Sequence, residues 1–432
     1  MDKPSHVIIS VYAVVLLSCL ALTPLWLDEV LQATNALNSG VSQLMRWVQV
    51  NAGASPLPYL AQHVFLRWFG HSAWVARLPA ALCSILGGLV FAVICPRFLK
   101  HGRWITLLLF LALPVQFRYG LEGRVYSQGL LFSLLTLWLF LKLNERYSLE
   151  LAVLYFLAVA AAMYSQPLTV FPVLAQMPLA GRQVRIAAAA GLLSYLPWYF
   201  AQHQAQARYQ LIVPPTTFFS LRQLNPLTFL HDITGGGYVC TVSLLLLVAW
   251  AIRPAGYQRL LVNTVAAALI GPILMDVVFN YFFAERQLLF AMPALILLAG
   301  RGVERLGAER RGVLAWAIVA VFLVAATVKN YRQATTSRDD LAATADAIAA
   351  HLRPEACVLA APPEQIAFYS FFHPELEQRA CGKDLSSQEV VAVVSGYTSP
   401  AERRKMSDAV SNRFGERETF RIGQSEILVY GH

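Results

Sequence analysis

The sequence predicts an all-α polytopic membrane protein of about eleven transmembrane helices, with a small α/β domain at its C-terminal end. Three observations predict this. Hydrophobic residues make up 57% of the 432 and charged residues only 14%, and the mean hydropathy of +0.52 is too high for an ordinary soluble globule. Apolar runs approaching the ~20 residues of a spanning helix recur from Val7 to Val328. After Lys329 the composition turns polar, and short segments replace the long runs.

The spans are expected at Val7 to Leu25, Ala73 to Cys95, Trp104 to Phe117, Val125 to Leu141, Leu149 to Tyr164, Leu168 to Ala180, Val184 to Phe200, Tyr238 to Ile252, Leu260 to Asn280, Gln287 to Gly300 and Val313 to Val328. The two short runs beside Gln166-Pro167 also suit a re-entrant or broken pair. The first run resembles a signal peptide in having Lys3 ahead of it, but no A-x-A site follows, so an uncleaved first span is expected. Basic residues fall in alternate loops: Arg97, Lys100 and Arg103; Lys142 and Arg146; Arg182 and Arg185; Arg253 and Arg259; Arg301, Arg305, Arg310 and Arg311. Under the positive-inside rule these loops and the N-terminus face the cytoplasm. An odd span count then leaves the tail outside, in the periplasm of a bacterial inner membrane.

The outer segments differ from these tight basic turns. Residues 26–72 hold Trp47, Phe65, Trp68 and Phe69 among polar neighbours, as interfacial helices do. Residues 202–237 are rich in His, Gln, Pro and aromatics and end in Gly235-Gly236-Gly237, as a lid or binding loop would. Residues 1–329 thus form the membrane domain and 330–432 the outer one. Within the latter, Asp339 to Leu352 has helical spacing, while Ala356 to Ala360, Val390 to Val394 and Glu426 to Tyr430 read as strands.

A net charge of +9 does not imply nucleic acid, because the basic residues are dispersed between apolar runs instead of gathered on one face. The six cysteines form no CxxC and no Cys/His cluster. Cys19, Cys83, Cys95 and Cys240 read as packing residues. Cys357 and Cys381 can pair if the tail lies outside the reducing cytoplasm.

Chemistry-bearing residues collect at the outer helix ends. Asp28 and Glu29 follow the first span, Ser55-Pro56-Leu57-Pro58-Tyr59 lies in the first outer loop, and Arg77-Leu78-Pro79 opens the second span. Arg118-Tyr119-Gly120-Leu121-Glu122-Gly123-Arg124-Val125-Tyr126 forms one outer turn, and Glu285 and Arg286 stand outside the tenth span. Together with Tyr195-Leu196-Pro197-Trp198, the order and sidedness of these motifs resemble the GT-C glycosyltransferases. The branch in question holds bacterial dolichyl-phosphate-mannose-protein mannosyltransferase-like and aminoarabinose-transferase-like enzymes. The resemblance covers roughly residues 16–306, although this chain has Ser165-Gln166 where Thr-His is usual and lacks a basic residue before Pro56.

The resemblance implies a GT-C-like enzyme that takes sugar from a polyprenyl-phosphate carrier, such as undecaprenyl phosphate, on the outer membrane face and transfers it with inversion. The acceptor would be a glycolipid, a polysaccharide such as lipopolysaccharide, or a protein. It implies Asp28 as catalytic base, with Glu29 as a supporting acid and Glu122 as the second acid. Arg124, Arg286, Arg77 and Arg118 become candidates for the donor phosphate, and Tyr59, Tyr126, Gln166 and His231 for substrate. No motif demands a cofactor; a divalent cation at Glu122 stays an open alternative.

The residues themselves agree with that chemistry. Inverting transfer needs a base for the acceptor hydroxyl while the leaving group departs from the opposite face. A departing phosphate carries its own charge, so arginines serve it better than a second acid. Simpler readings stand beside each assignment: acids that merely open an interfacial helix, a structural pair of Glu122 with Arg124, and an Arg77 that snorkels. Other classes are a lipid-linked sugar transporter or flippase, against which Asp276 is almost the only mid-span acid, and an O-antigen ligase or polymerase, which would need a larger late outer loop.

Overall fold

The computed structural model describes residues 2–38, 40–51, 54–210, 226–251, 258–279, 285–382, 389–396 and 398–431. Among them, helices Ala73–Arg97, Tyr126–Glu145, Gln258–Met275, Arg286–Ala308 and Gly312–Thr335 are long and apolar enough to cross a bilayer. Lys3–Cys19, Leu149–Ser165, Pro167–Leu179 and Gly237–Ala251 are shorter apolar helices. The chain has a helical, multi-pass membrane fold with a small sheet at its C-terminal end.

Prolines decide where the expected spans break. The run expected at Trp104 to Phe117 is two helices, Arg103–Ala112 and Pro114–Leu121, bent by 56°. Leu113 takes φ −58° and ψ 122°, the extended conformation favoured before a proline. Gln166, before Pro167, is likewise extended and ends Leu149–Ser165. The run expected at Val184 to Phe200 is divided too, into Arg182–Leu193 and Leu196–Gln210.

Between the first apolar helix and Ala73 the chain forms three further helices, Leu27–Asn38, Val41–Val50 and Pro56–Phe69. Gln202 fastens the second: its Nε2 donates to the carbonyls of Val48, Asn51 and Ala54 at 3.2, 3.4 and 2.9 Å. Val48 lies in the last turn, where a helix leaves its carbonyls unsatisfied. Most of the expected 202–237 binding loop, residues 211–225, lies outside the described residues.

The sheet contains β1 (Ala356–Ala361), β2 (Glu389–Val394), β3 (Gly415–Ile422) and β4 (Ser425–Gly431) in the order β1-β2-β4-β3. β1 and β2 are parallel, and the other pairs antiparallel. Side-chain alternation divides the sheet's two faces. Val390, Ala392 and Val394 of β2 pack with Met406 and Val410 of helix Pro400–Ser411. Val391 and Val393 share a core with Leu341, Ala345 and Ile348 of helix Leu341–His351.

That second core does not stop at the domain. It continues into Leu25, Val30, Ala33, Ala36, Leu66, Val75 and Ala76, so helices Leu27–Asn38 and Pro56–Phe69 share a core with the sheet. The boundary expected at 329/330 falls inside helix Gly312–Thr335. Cys357 and Cys381 are joined by a disulfide that ties β1 to the strand-like segment beside it.

Candidate active site

The first turn of helix Leu27–Asn38 carries Asp28 and Glu29, and neighbouring positions on a helix point apart. Glu29 turns inward and is fully buried. Its Oε1 accepts from Arg77 Nε at 2.9 Å and its Oε2 from Arg77 Nη2 at 2.7 Å, a bidentate pair. The remaining Arg77 protons go to the carbonyls of Leu20, Thr23 and Pro24 at 3.0, 2.8 and 2.9 Å. Glu29 Oε1 also accepts from the Gly123 N–H at 2.7 Å. In this arrangement every donor of Arg77 and both oxygens of Glu29 are engaged within the protein. Neither group, expected at phosphate and at the reacting centre, presents a free edge.

The Gly123 contact fixes the turn between Leu121 and Tyr126. A Cβ at Gly123 would stand 2.7 Å from the Ala76 carbonyl oxygen, so only glycine lets this turn approach. Gln62 closes the turn from the other side, donating to the carbonyls of Ala76 and Gly123 at 2.8 and 3.3 Å. With Gly123 pinned, Glu122 and Arg124 flank it.

Arg124 reaches back to helix Leu27–Asn38. Its Nη1 donates to the Asp28 carbonyl at 3.0 Å and to Gln32 Oε1 at 3.2 Å, and its Nη2 stands 3.6 Å from Asp28 Oδ2. Burial works against the Arg124 charge, yet Tyr59, Asp28, Tyr126 and Glu122 around it hold its pKa above the ordinary arginine value. The buried Nε–H meets no acceptor among the described residues. Asp28 keeps 30% of its side chain exposed, and its partner Arg124 lines a small cavity with Gln32, Pro58, Gln62, Gly123 and Gln128. Tyr59 is buried against this pair and hydrogen-bonds Arg124; burial raises its pKa.

Distant segments add to the cluster. The Arg286 guanidinium lies 6.0 Å from the centre of the Tyr126 ring, which packs 4.5 Å from Tyr119. Arg118 lies over Tyr119 and donates from Nε to Glu122 Oε1 at 2.8 Å. The bend before Pro114 sets this half-helix: Val115 N–H donates to Thr234 at 2.9 Å, and Gly235, at φ +67°, fits where a Cβ would meet Val115 N. His231 is bonded to Asp232 at 2.6 Å, and the Asp232 charge reaches Arg118. Gln166 is buried against Gly129, one turn along the helix from Tyr126, with its Oε1 unpartnered among the described residues.

Glu122 lies in the turn between spans. Burial pushes its carboxyl up to about 7; the neighbouring Glu29 charge adds to this, and Arg118 and Arg124 oppose it. A further partner is absent from the residues expected at the site. Arg338, just past the last span, places Nη2 3.0 Å from Glu122 Oε1 and its guanidinium 4.4 Å from the Trp26 ring centre. A lone arginine in a polar tail carries no local signal for this. Among the described residues no three His, Cys, Asp or Glu side chains gather as a metal cage.

Residues 53–193 match the family model described as dolichyl-phosphate-mannose-protein mannosyltransferase. That stretch holds Tyr59, Glu122, Arg124, Tyr126 and Gln166. Two solved structures align along nearly the whole chain. They are crystal structures of ArnT from Cupriavidus metallidurans, in the apo state and bound to undecaprenyl phosphate, each with a TM-score of 0.67. Identity is 14% and 15%, and each alignment covers 98% of this chain and 97% of the other. No curated protein matches the chain by sequence.

Proposed function

We propose that the protein is a glycosyltransferase that moves a sugar, with inversion, from a polyprenyl-phosphate carrier to a glycolipid, polysaccharide or protein acceptor at the outer face of the inner membrane. The observation that carries this reading is the convergence of Asp28, Arg124, Tyr126 and Arg286, from three separated parts of the chain, in one cluster. The undecaprenyl phosphate in the similar ArnT structure supports the choice of carrier.

Asp28, the partly exposed acid of the pair, takes the proton from the acceptor hydroxyl as that oxygen attacks the anomeric carbon. The bond to the carrier phosphate breaks on the opposite face, and the phosphate leaves with the bonding electrons. Arg124, with an N–H to spare, and Arg286 stabilise the negative charge that grows on it. Glu122, Tyr59, Tyr126, Gln166 and His231 orient the acceptor and sugar, with Arg118 holding Glu122. Glu29 and Arg77 support this site from beneath and touch neither substrate.

The test incubates purified protein with a panel of polyprenyl-phosphate sugars and measures acceptor-dependent release of the carrier. Asp28→Asn is expected to lower kcat by about 10²–10⁴-fold, the usual worth of a general base, with the melting temperature held. An Asp28→Asn enzyme turning over at the wild-type rate would remove Asp28 from the role.

A further inference from the structure

We propose that Arg338, delivered by the C-terminal domain, is a positioning residue for Glu122, which makes that domain part of the catalytic unit. The kinetic half of this proposal rests on the transferase reading; the structural half does not.

The segment around Arg338 is held from two sides. On the membrane side, Asp339 Oδ2 accepts from the Leu27 N–H at 2.8 Å, filling a donor at the open end of the helix that carries Asp28. On the domain side, the hairpin between β3 and β4 turns at Gly423, with φ +55°, and a Cβ there would collide with Asp340 Oδ2. Arg338 therefore sits beside one hydrogen-bonded neighbour, Asp339, and one closely packed neighbour, Asp340. Its guanidinium has a face on Trp26 and an edge on Glu122, which restricts it in two directions.

The charges around Glu122 explain why a second direct cation matters. Arg118 ends the preceding half-helix, Arg124 shares the turn, Glu29 approaches from helix Leu27–Asn38, and the packed pair Tyr119 and Tyr126 feel the Glu122 charge. Arg118 and Arg338 meet the same oxygen, Oε1, at 2.8 and 3.0 Å, so together they fix the carboxyl's rotation. Of these groups, Arg338 is the one that arrives from the C-terminal domain, and a domain displaced by one side-chain length takes it away.

The experiment uses the full chain with Arg338→Gln, Arg338→Lys and, to assign the signal, Glu122→Gln. Infrared titration follows the protonated-carboxyl band that Glu122→Gln abolishes. Loss of a cation at this distance disfavours the carboxylate, so Arg338→Gln is expected to move the band's midpoint up by about one pH unit. Arg338→Lys is expected to bring it back. In the transfer assay, Arg338→Gln should lose kcat and shift the acid limb of the pH profile upward, with KM for the lipid donor unchanged. An unmoved Glu122 midpoint in Arg338→Gln overturns the proposal. A wild-type protein inactive on every polyprenyl-phosphate sugar overturns the transferase reading instead, and the infrared result still decides Arg338.

Discussion

Asp28 and Glu29 are chemically alike and adjacent, and their different surroundings divide their work. Glu29 is wholly buried on a bidentate arginine, whereas Asp28 keeps 30% of its side chain exposed. Removing one partner of a buried pair strands the other's charge, so Glu29→Gln should destabilise the protein by about 3–5 kcal/mol, read as a fall in melting temperature in detergent. Asp28→Asn, losing only a partly exposed contact at 3.6 Å, should melt close to wild type. Glu122 adds a pH dependence. Its pKa is raised from 4.5 in the unfolded chain to about 7 in the folded one, so the folded state binds more protons between those values. The stability contributed by that protonation is complete below about pH 4.5 and is lost as pH rises through about 7. Melting curves across that range should therefore fall more steeply for wild type than for Glu122→Gln.

At the scale of elements, prolines and periodicity were readable and caps from a distance were not. The expected strands at 356–360, 390–394 and 426–430 match β1, β2 and β4 to within a residue or two, because buried strands are apolar runs. β3, Gly415–Ile422, gave no such signal: it is an exposed edge strand rich in charge, which hides strand character while discouraging further pairing. Helix Leu27–Asn38 looks uncapped locally, since its start is satisfied by Asp339, 312 residues away. Asp339→Ala should cost about 1 kcal/mol of stability, as loss of a cap does. It should also lower transfer activity, although Asp339 touches no proposed substrate, because Arg338 and Asp28 are both anchored through it. Unchanged activity in that variant would separate the cap from the site.

For the whole molecule, the basic loops predict an orientation that labelling can check. In a background without Cys19, Cys83, Cys95 and Cys240, Ser411→Cys, at an exposed position of the C-terminal domain, should react with an impermeant maleimide in cells whose outer membrane has been opened. Gly307→Cys, exposed beside the basic loop, should react only after the inner membrane is permeabilised. The reverse pattern would place the candidate site on the cytoplasmic face and end the lipid-carrier reading. Cys357 and Cys381 of the C-terminal domain are joined by a disulfide. Its reduction should lower the melting temperature of the C-terminal domain, since closing a loop of 24 residues is worth about 3 kcal/mol.

Read alone, the sequence determined the membrane class, the alternation of basic loops, the α/β tail and the shortlist of outer acids and arginines. These follow from hydropathy, charge bias and alternation, which act locally and leave their mark on neighbouring residues. Only the tertiary structure decided which acid of the pair is buried, that Arg77 is consumed by Glu29, and that the tail inserts Arg338 into the cluster. Those outcomes depend on which groups meet across long stretches of chain, where desolvation and hydrogen-bond saturation separate residues that look identical in one dimension.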